Sequence, residues 1–175
     1  MIETERQRRA QQVEAKYAAD LRRLRQAKDD DLQHLDDRSK VLKRAYRLER
    51  VNIKEDFALK RLDLKSKIES LKNRRAVARN TSSELSPANQ RAILEDFNNS
   101  IDIYAAQLIK LERQEYAALT DAEERFENRC KENQEERRAI NKHYINEADK
   151  LHEAYLQHVE QNRQERESEE GGASL

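Results

Sequence analysis

Apolar residues recur along this chain at intervals that keep them on one face of a helix. In the first half they repeat every eleven residues in two neighbouring rows. Eleven residues over three turns is about 3.67 per turn, so the pattern predicts a long, nearly straight or weakly right-handed helical pairing with a narrow apolar stripe. The stripe positions are Val13, Leu24, Leu35, Tyr46, Phe57 and Ile68 in one row and Leu42, Ile53 and Leu64 in the other.

The second half carries a similar stripe, in which apolar residues are mostly three or four positions apart. Two helices with one stripe each can bury these residues only against each other, so we predict a helix–helix seam. Its second-helix positions are Ile93, Phe97, Ile101, Tyr104, Leu108, Leu111, Leu119, Phe126, Cys130, Ile140, Tyr144, Leu151 and Tyr155.

One polar segment separates the two halves. Residues 80–86 are rich in Asn, Thr and Ser, and Ser86 followed by Pro87 is a strong helix start, because a hydroxyl caps the first turn and Pro fits the first helical position. We predict helices over 1–79 and 87–168, a connection over 80–86 and a flexible tail over 169–175. The expected fold class is all-α, an antiparallel coiled-coil hairpin with eleven-residue apolar spacing that self-associates.

Composition supports this fold and argues against a compact enzyme. Of 175 residues, 40% are charged, 36% are apolar, two are Gly and one is Pro. A disordered chain usually has a large net charge, whereas here 35 basic and 35 acidic side chains cancel. We expect a soluble cytoplasmic protein, because no apolar run reaches the length of a signal peptide or a membrane span. Cys130 is the single cysteine and is expected to be a buried, inert thiol.

Charge also suggests how the helices align. Residues 1–80 hold 23 basic and 14 acidic side chains and residues 81–175 hold 12 and 21, which is +9 against −9. If the connection is centred near residue 83, facing residues have numbers that sum to about 167. This register predicts the pairs Lys40–Glu127, Lys43–Glu124, Arg44–Glu123, Lys65–Asp102 and Lys72–Glu95.

Polar residues interrupt the seam at similar heights on both helices. They are Lys28, Asp31 and Ser39 on the first helix and Asn133 and Arg137 on the second. Such a segment is typical of a flexible joint or of a polar layer that sets register, and a docking point is the functional alternative.

Candidate metal ligands are sparse. His34 follows Asp31 by three residues and His152 follows Asp149 by three, which resembles the acid-x-x-His pairs of di-iron bundles. The register places the two pairs roughly 28 Å apart along the helix axis, too far to share an ion. We therefore predict no metal site, no cofactor and no catalytic residue.

A basic stripe is the strongest functional signal. Its residues lie within about 60° of helix circumference, and such a line can follow nucleic-acid phosphates in a salt-sensitive, sequence-independent manner. The alternative is that it meets acidic residues of the second helix or of another subunit. The stripe consists of Lys40, Arg47, Lys54, Arg61, Lys65, Lys72 and Arg79.

Three functional hypotheses follow. The first is a non-enzymatic structural or adaptor protein that spaces or scaffolds a larger assembly, with other proteins and a second copy of itself as partners. The second is a nucleic-acid or nucleoprotein organiser that uses the basic stripe. The third is a stalk or scaffolding component, because the predicted hairpin resembles flagellar-export stalk proteins and some phage scaffolding proteins in architecture, without a shared motif.

Overall fold

The structure is a computed structural model that describes the backbone of residues 2–172 and the side chains of residues 4–171. This part of the chain is all-α: helix α1 spans Ile2–Thr81, helix α2 spans Pro87–Gly172, and the described residues form no strand. Neither helix has Gly or Pro in its interior, because Pro87 opens α2 and both glycines stand at its end. Good helix formers and i,i+4 ion pairs such as Asp56–Lys60 support the long helices.

The connection is shorter than predicted and is held by hydrogen bonds. The Thr81 hydroxyl donates to the Val77 carbonyl at 2.9 Å, so α1 continues to Thr81 rather than ending at 79. Residues 82–86 make the turn. The backbone N–H of Asn89 donates to the Ser86 hydroxyl at 3.3 Å, the N-cap bond that the sequence predicts. Gln90 donates its side-chain amide to carbonyls of the connection, including that of Leu85 at 3.1 Å.

The structure corrects the predicted start of the C-terminal tail. Helix α2 does not end at residue 168 but continues to Gly172, so residues 169–172 are helical. An ion pair between Arg6 and Glu169 ties this last part of α2 to the start of α1. Residues 173–175, the rest of the expected tail, lie outside the described residues.

The chain divides into two compact units, each built from one segment of α1 and one segment of α2. The first unit combines Met1–Lys40 with Arg129–Leu175, and the second is Val41–Asn128. In each unit the two segments run antiparallel, because residues later in α1 contact residues earlier in α2. The contacts are Tyr17–Tyr155 and Arg38–Glu136 in the first unit and Tyr46–Phe126 and Arg61–Glu115 in the second. The second unit contains the connection and is by itself a helical hairpin.

Both units have a narrow core. All of the predicted seam positions are buried or half-buried in the structure. Only Leu35 in the first unit and Leu111 and Ala122 in the second are buried apolar residues in the described part of the chain. A single strip of each helix therefore supplies the apolar burial that holds each pair of segments together.

The register differs from the predicted one. Tyr17 stacks on Tyr155 with ring centroids 4.6 Å apart, and Tyr46 stacks on Phe126 at 4.3 Å. Residue numbers sum to 172 in both contacts, not to 167. A helical side chain covers the surface about one position N-terminal to its own Cα, and in an antiparallel pair the two offsets add. The two offsets add about two to the expected sum, and a connection centred on residue 84 adds about one more. Together they account for about three of the five residues by which the observed sum exceeds 167.

The predicted charge pairs fail for the same reason. None of the five is an ion pair between described residues, because a shift of five positions moves one partner more than a helical turn along the axis. The ion pairs that do link α1 to α2 in the described part of the chain are Arg6–Glu169, Arg38–Glu136, Arg61–Glu115, Glu49–Arg125 and Asp36–Arg137.

Candidate functional site

The predicted basic stripe does not form one uniform surface. Lys40 belongs to the first unit, where its ammonium lies 3.6 Å from an Asp37 carboxylate oxygen. Arg61 is half-buried in the second unit and pairs with Glu115 of α2. Both side chains are thus occupied by partners within the chain.

The remaining five stripe residues form what we call the basic row. They are exposed, and the described residues place no carboxylate within ion-pair distance of any of them. At about 100° per residue they lie within roughly 40° of one another on α1. The basic row consists of Arg47, Lys54, Lys65, Lys72 and Arg79.

A complementary acidic row lies on α2 of the same unit. Its members are exposed and likewise form no ion pair with a described residue. They lie within roughly 80° of one another around the helix. The acidic row consists of Asp102, Glu112, Glu123 and Glu127.

The two rows lie on the same side of the hairpin. Viewed along each helix from its N-terminus, each row is rotated away from the seam in the same direction, by about 60° to 140°. Because the two helices are antiparallel, rotation in the same direction brings both rows to the same side of the hairpin. Arg75, which donates to the Asn98 side-chain oxygen at 2.6 Å, joins the helices on that side. Arg125 and Glu49, joined at 2.6 Å, bridge the opposite side. The first side, which carries both rows, is called the split-charge face below.

The overall charge of the helices follows the rows. In residues 41–79 there are 13 basic and five acidic side chains, a net charge of +8, and residues 87–128 hold four and nine, a net charge of −5. The +9/−9 split between the halves of the sequence thus resides largely in the second unit. Ile109 and Tyr116 lie among the acidic row with 55% and 75% of their surface exposed. The split-charge face therefore combines both signs of charge with exposed apolar side chains.

The polar interruption of the seam becomes a hydrogen-bonded layer in the first unit. Asn133 donates to the Ser39 hydroxyl at 3.1 Å, and Ser39 donates to the Leu35 carbonyl at 3.0 Å. Arg38 also donates to the Asn133 side-chain oxygen, at 3.0 Å. Arg137 pairs with Asp36 beside this layer. Because the amide of Asn133 is used as both donor and acceptor, this layer favours one alignment of the helices.

Tyr144 extends the polar contacts along the first unit. Its hydroxyl donates to an Asp31 carboxylate oxygen at 2.7 Å. This hydrogen bond, then partial burial and the nearby carboxylates, raise the pKa of Tyr144 above its usual value of 10.0. The polar residues Asp31, Ser39, Asn133 and Arg137 therefore all contact the opposite helix, whereas for Lys28 the structure gives only a half-buried position.

The candidate histidines lie in different surroundings. His152 makes a 3.1 Å hydrogen bond with the Tyr17 hydroxyl, whereas His34 borders a groove of about 360 Å³ lined also by Asp31, Arg38 and Glu136. Among the described residues no three His, Cys, Asp or Glu side chains converge as a metal site would require. Cys130 is half-buried on α2.

Two buried or stacked positions escape the sequence pattern. Tyr17 stacks on Tyr155 although it is absent from the predicted rows; its position four residues after Val13 is a helical signal for the same face. Ala122, 1% exposed, is the most buried residue of the described chain. Its small side chain carries little hydrophobic signal, yet it lies four residues before Phe126 on the same stripe.

Comparisons of this chain with protein families, with curated proteins and with solved structures find no match. Within the described residues, no helix is long and apolar enough to cross a membrane. The geometry of the surfaces is therefore the basis for assigning a function.

Proposed function

We propose that this chain is a non-enzymatic structural or adaptor protein that spaces or scaffolds a larger assembly through protein–protein contacts. One observation carries the proposal: many large apolar side chains lie outside the seam and are exposed to solvent. Exposed apolar side chains that lie next to one another, such as Leu59 and Leu62 about one helical turn apart, are typical of surfaces that bind another protein. They include Val41, Leu48, Leu59, Leu62, Val77, Ile103, Ile109, Tyr116, Ile145 and Leu156.

The charged rows and the polar layer support the same function. Apolar contacts provide affinity, and charges around them select the partner and its orientation. A homo-oligomer in the cytoplasm, bound to other proteins of an assembly, is part of this proposal.

The test is affinity purification of the tagged chain from its native cells, with nuclease treatment and quantitative mass spectrometry. Leu59 and Leu62 are 68% and 66% exposed, so Leu59→Lys with Leu62→Lys keeps the helix and removes apolar contacts. Ser66→Lys, at an exposed position one turn away, is the matched control. We expect protein partners at fixed stoichiometry that survive nuclease, are lost with the double variant and are kept with the control. Partners that disappear with nuclease would contradict the scaffold function.

The basic row favours a second candidate, a nucleic-acid or nucleoprotein organiser. Five exposed cations without ion pairs can contact phosphates, and each contact contributes about −0.9 to the slope of log affinity against log salt on duplex DNA. Fluorescence anisotropy with duplex DNA and RNA measures that slope. If this function holds, changing Lys54, Lys65 and Lys72 to Gln reduces it by about 2.7, and Lys110→Gln on the opposite side leaves it unchanged. A wild-type chain that does not bind at low salt excludes this candidate.

A further inference from the structure

The split-charge face carries two rows of opposite charge that do not neutralise each other. Arg61 is half-buried and reaches Glu115 across the seam. The side chains of the basic row are exposed and form no ion pair with a described carboxylate. The acidic row is exposed on the same side of the hairpin. Both rows are therefore free to meet charges presented by another surface with the mirrored arrangement.

We propose that this surface belongs to a second copy of the chain. Two hairpins of the second unit stack through their split-charge faces, related by a twofold axis parallel to the helices, with both connections at the same end. The rotation places the basic row of each copy over the acidic row of the other. The inference rests on the scaffold function and deepens it, because it names one partner and the surface that binds it.

Charge selects this orientation among the symmetric ones. A twofold axis perpendicular to the helices and lying between the stacked faces would place α1 over α1 and α2 over α2, with connections at opposite ends. That arrangement sets the basic row against the basic row, and juxtaposed like charges oppose association. Only the parallel axis brings unlike rows together on both halves of the interface.

The register within the hairpin predicts which residues meet. Rotation about an axis parallel to the helices keeps every residue at its own height, so residue numbers of partners in different copies sum as they do across the seam. The two interhelical ion pairs of this unit, Arg61–Glu115 and Glu49–Arg125, give sums of 176 and 174. Pairs between the rows that lie within one residue of these sums are Arg47–Glu127 and Lys72–Asp102, both at 174, and Lys54–Glu123 and Lys65–Glu112, both at 177.

Size and apolar content also suit a dimer interface. Helices of about 40 residues give a face roughly 60 Å long and about 20 Å wide, or about 1,200 Å², against the ~800 Å² per partner of a stable complex. Tyr116 and Ile109 lie near the middle of this face. The height of Tyr116 matches that of Ala58 on α1 of the second copy, one helical turn before Leu62. An aromatic side chain near the centre is therefore covered by apolar groups and lies between ion pairs.

Charge-reversal variants test the pairing. Variant one changes Arg47, Lys54 and Lys65 to Glu, and variant two changes Glu112 and Glu123 to Lys. All five positions are exposed, so circular dichroism is expected to show unchanged helix content. Light scattering of the wild type is expected to give the mass of a dimer that weakens with salt. Each variant alone is expected to dimerise at least about 100-fold more weakly, because like charges then face each other.

Rescue is the decisive measurement. In a mixture of the two variants, the acidic α1 of variant one meets the basic α2 of variant two on one half of the interface. On the other half, the unchanged basic row of variant two meets the unchanged acidic row of variant one, so a one-to-one heterodimer is expected. Both variants dimerising like wild type, or a mixture that stays monomeric, would overturn the inference. A monomeric wild type that binds nucleic acid through the basic row would overturn it too. In all of these cases the scaffold function is tested separately, by the affinity purification of protein partners.

A cysteine at the connection tests the orientation. Ser83 is exposed, so Ser83→Cys in a Cys130→Ala background places a single thiol at that end of each copy. A short bis-maleimide is expected to cross-link the dimer through this position. The control thiol, Lys110→Cys in the same background, is exposed on the opposite side of the second unit and reports random collision. Cross-linking at Ser83→Cys no faster than at the control would mean that the connections lie at opposite ends, and the proposed symmetry would be wrong.

Discussion

Burial of Leu111 makes a quantitative prediction about the seam of the second unit. Leu111 is 8% exposed on α2, whereas Leu59 on α1 of the same unit is 68% exposed. Changing either to Ala removes three carbons, and a fully buried carbon is worth about 0.8 kcal/mol. We therefore expect Leu111→Ala to lower the free energy of unfolding by about 2 to 3 kcal/mol, with only a small cavity term because water reaches the edges of a two-helix seam.

Leu59→Ala is the matched control. About a third of this side chain is covered, so its transfer term is roughly 0.8 kcal/mol, and the higher helix propensity of Ala offsets a few tenths of it. Urea unfolding followed by circular dichroism at 222 nm, at one protein concentration for all variants, measures both effects. Equal losses for the two substitutions would show that Leu111 is no more buried than Leu59 in solution, and the seam described above would be refuted.

Three further predictions concern polar contacts. The half-buried pair Arg61–Glu115 is expected to show a coupling of about 0.5 to 1 kcal/mol in a double-mutant cycle of unfolding. Asn133→Leu is expected to keep or raise stability while admitting alternative alignments, seen as broadened spin-label distances between the helices of the first unit, because the bond to Ser39 is lost. Tyr144 is expected to have a pKa above 10, measured as the difference between the 295 nm titrations of the wild type and of Tyr144→Phe; since its pKa is raised by folding, the stability it contributes is present below pH 10 and lost at higher pH.

Each of these has its own contradicting result. The pair Lys72 and Glu95, expected from the sum of 167, is the control for the cycle. A coupling in that pair equal to that of Arg61–Glu115 would favour the register in which facing residue numbers sum to 167. A sharp distance distribution in Asn133→Leu would remove the polar layer from register control. A pKa for Tyr144 at or below 10 in the difference between the two titrations would mean that the hydrogen bond to Asp31 does not form in solution.

Much of the local structure is fixed by residue type alone. The absence of Gly and Pro from two long stretches, and the Ser86-Pro87 start signal, predict two helices and the place where the chain turns, and the structure confirms the all-α fold with two long helices. These features depend on contacts within a few residues, which the sequence contains completely. The predicted end of α1, residue 79, differs from the observed end by only two residues. The Thr81 hydroxyl, which donates to the Val77 carbonyl, accompanies this extension.

The alignment of the helices is different, because only the tertiary structure decided it. Many registers set charged residues opposite one another at small and similar energies, so the sequence preferred a sum of 167 for weak reasons. The stacking of Tyr46 on Phe126 and the bond of Asn133 to Ser39 both fix it at 172. This choice also determines which charges remain without partners. The basic and acidic rows emerge as one face because the seam, once aligned, turns both of them outward on the same side.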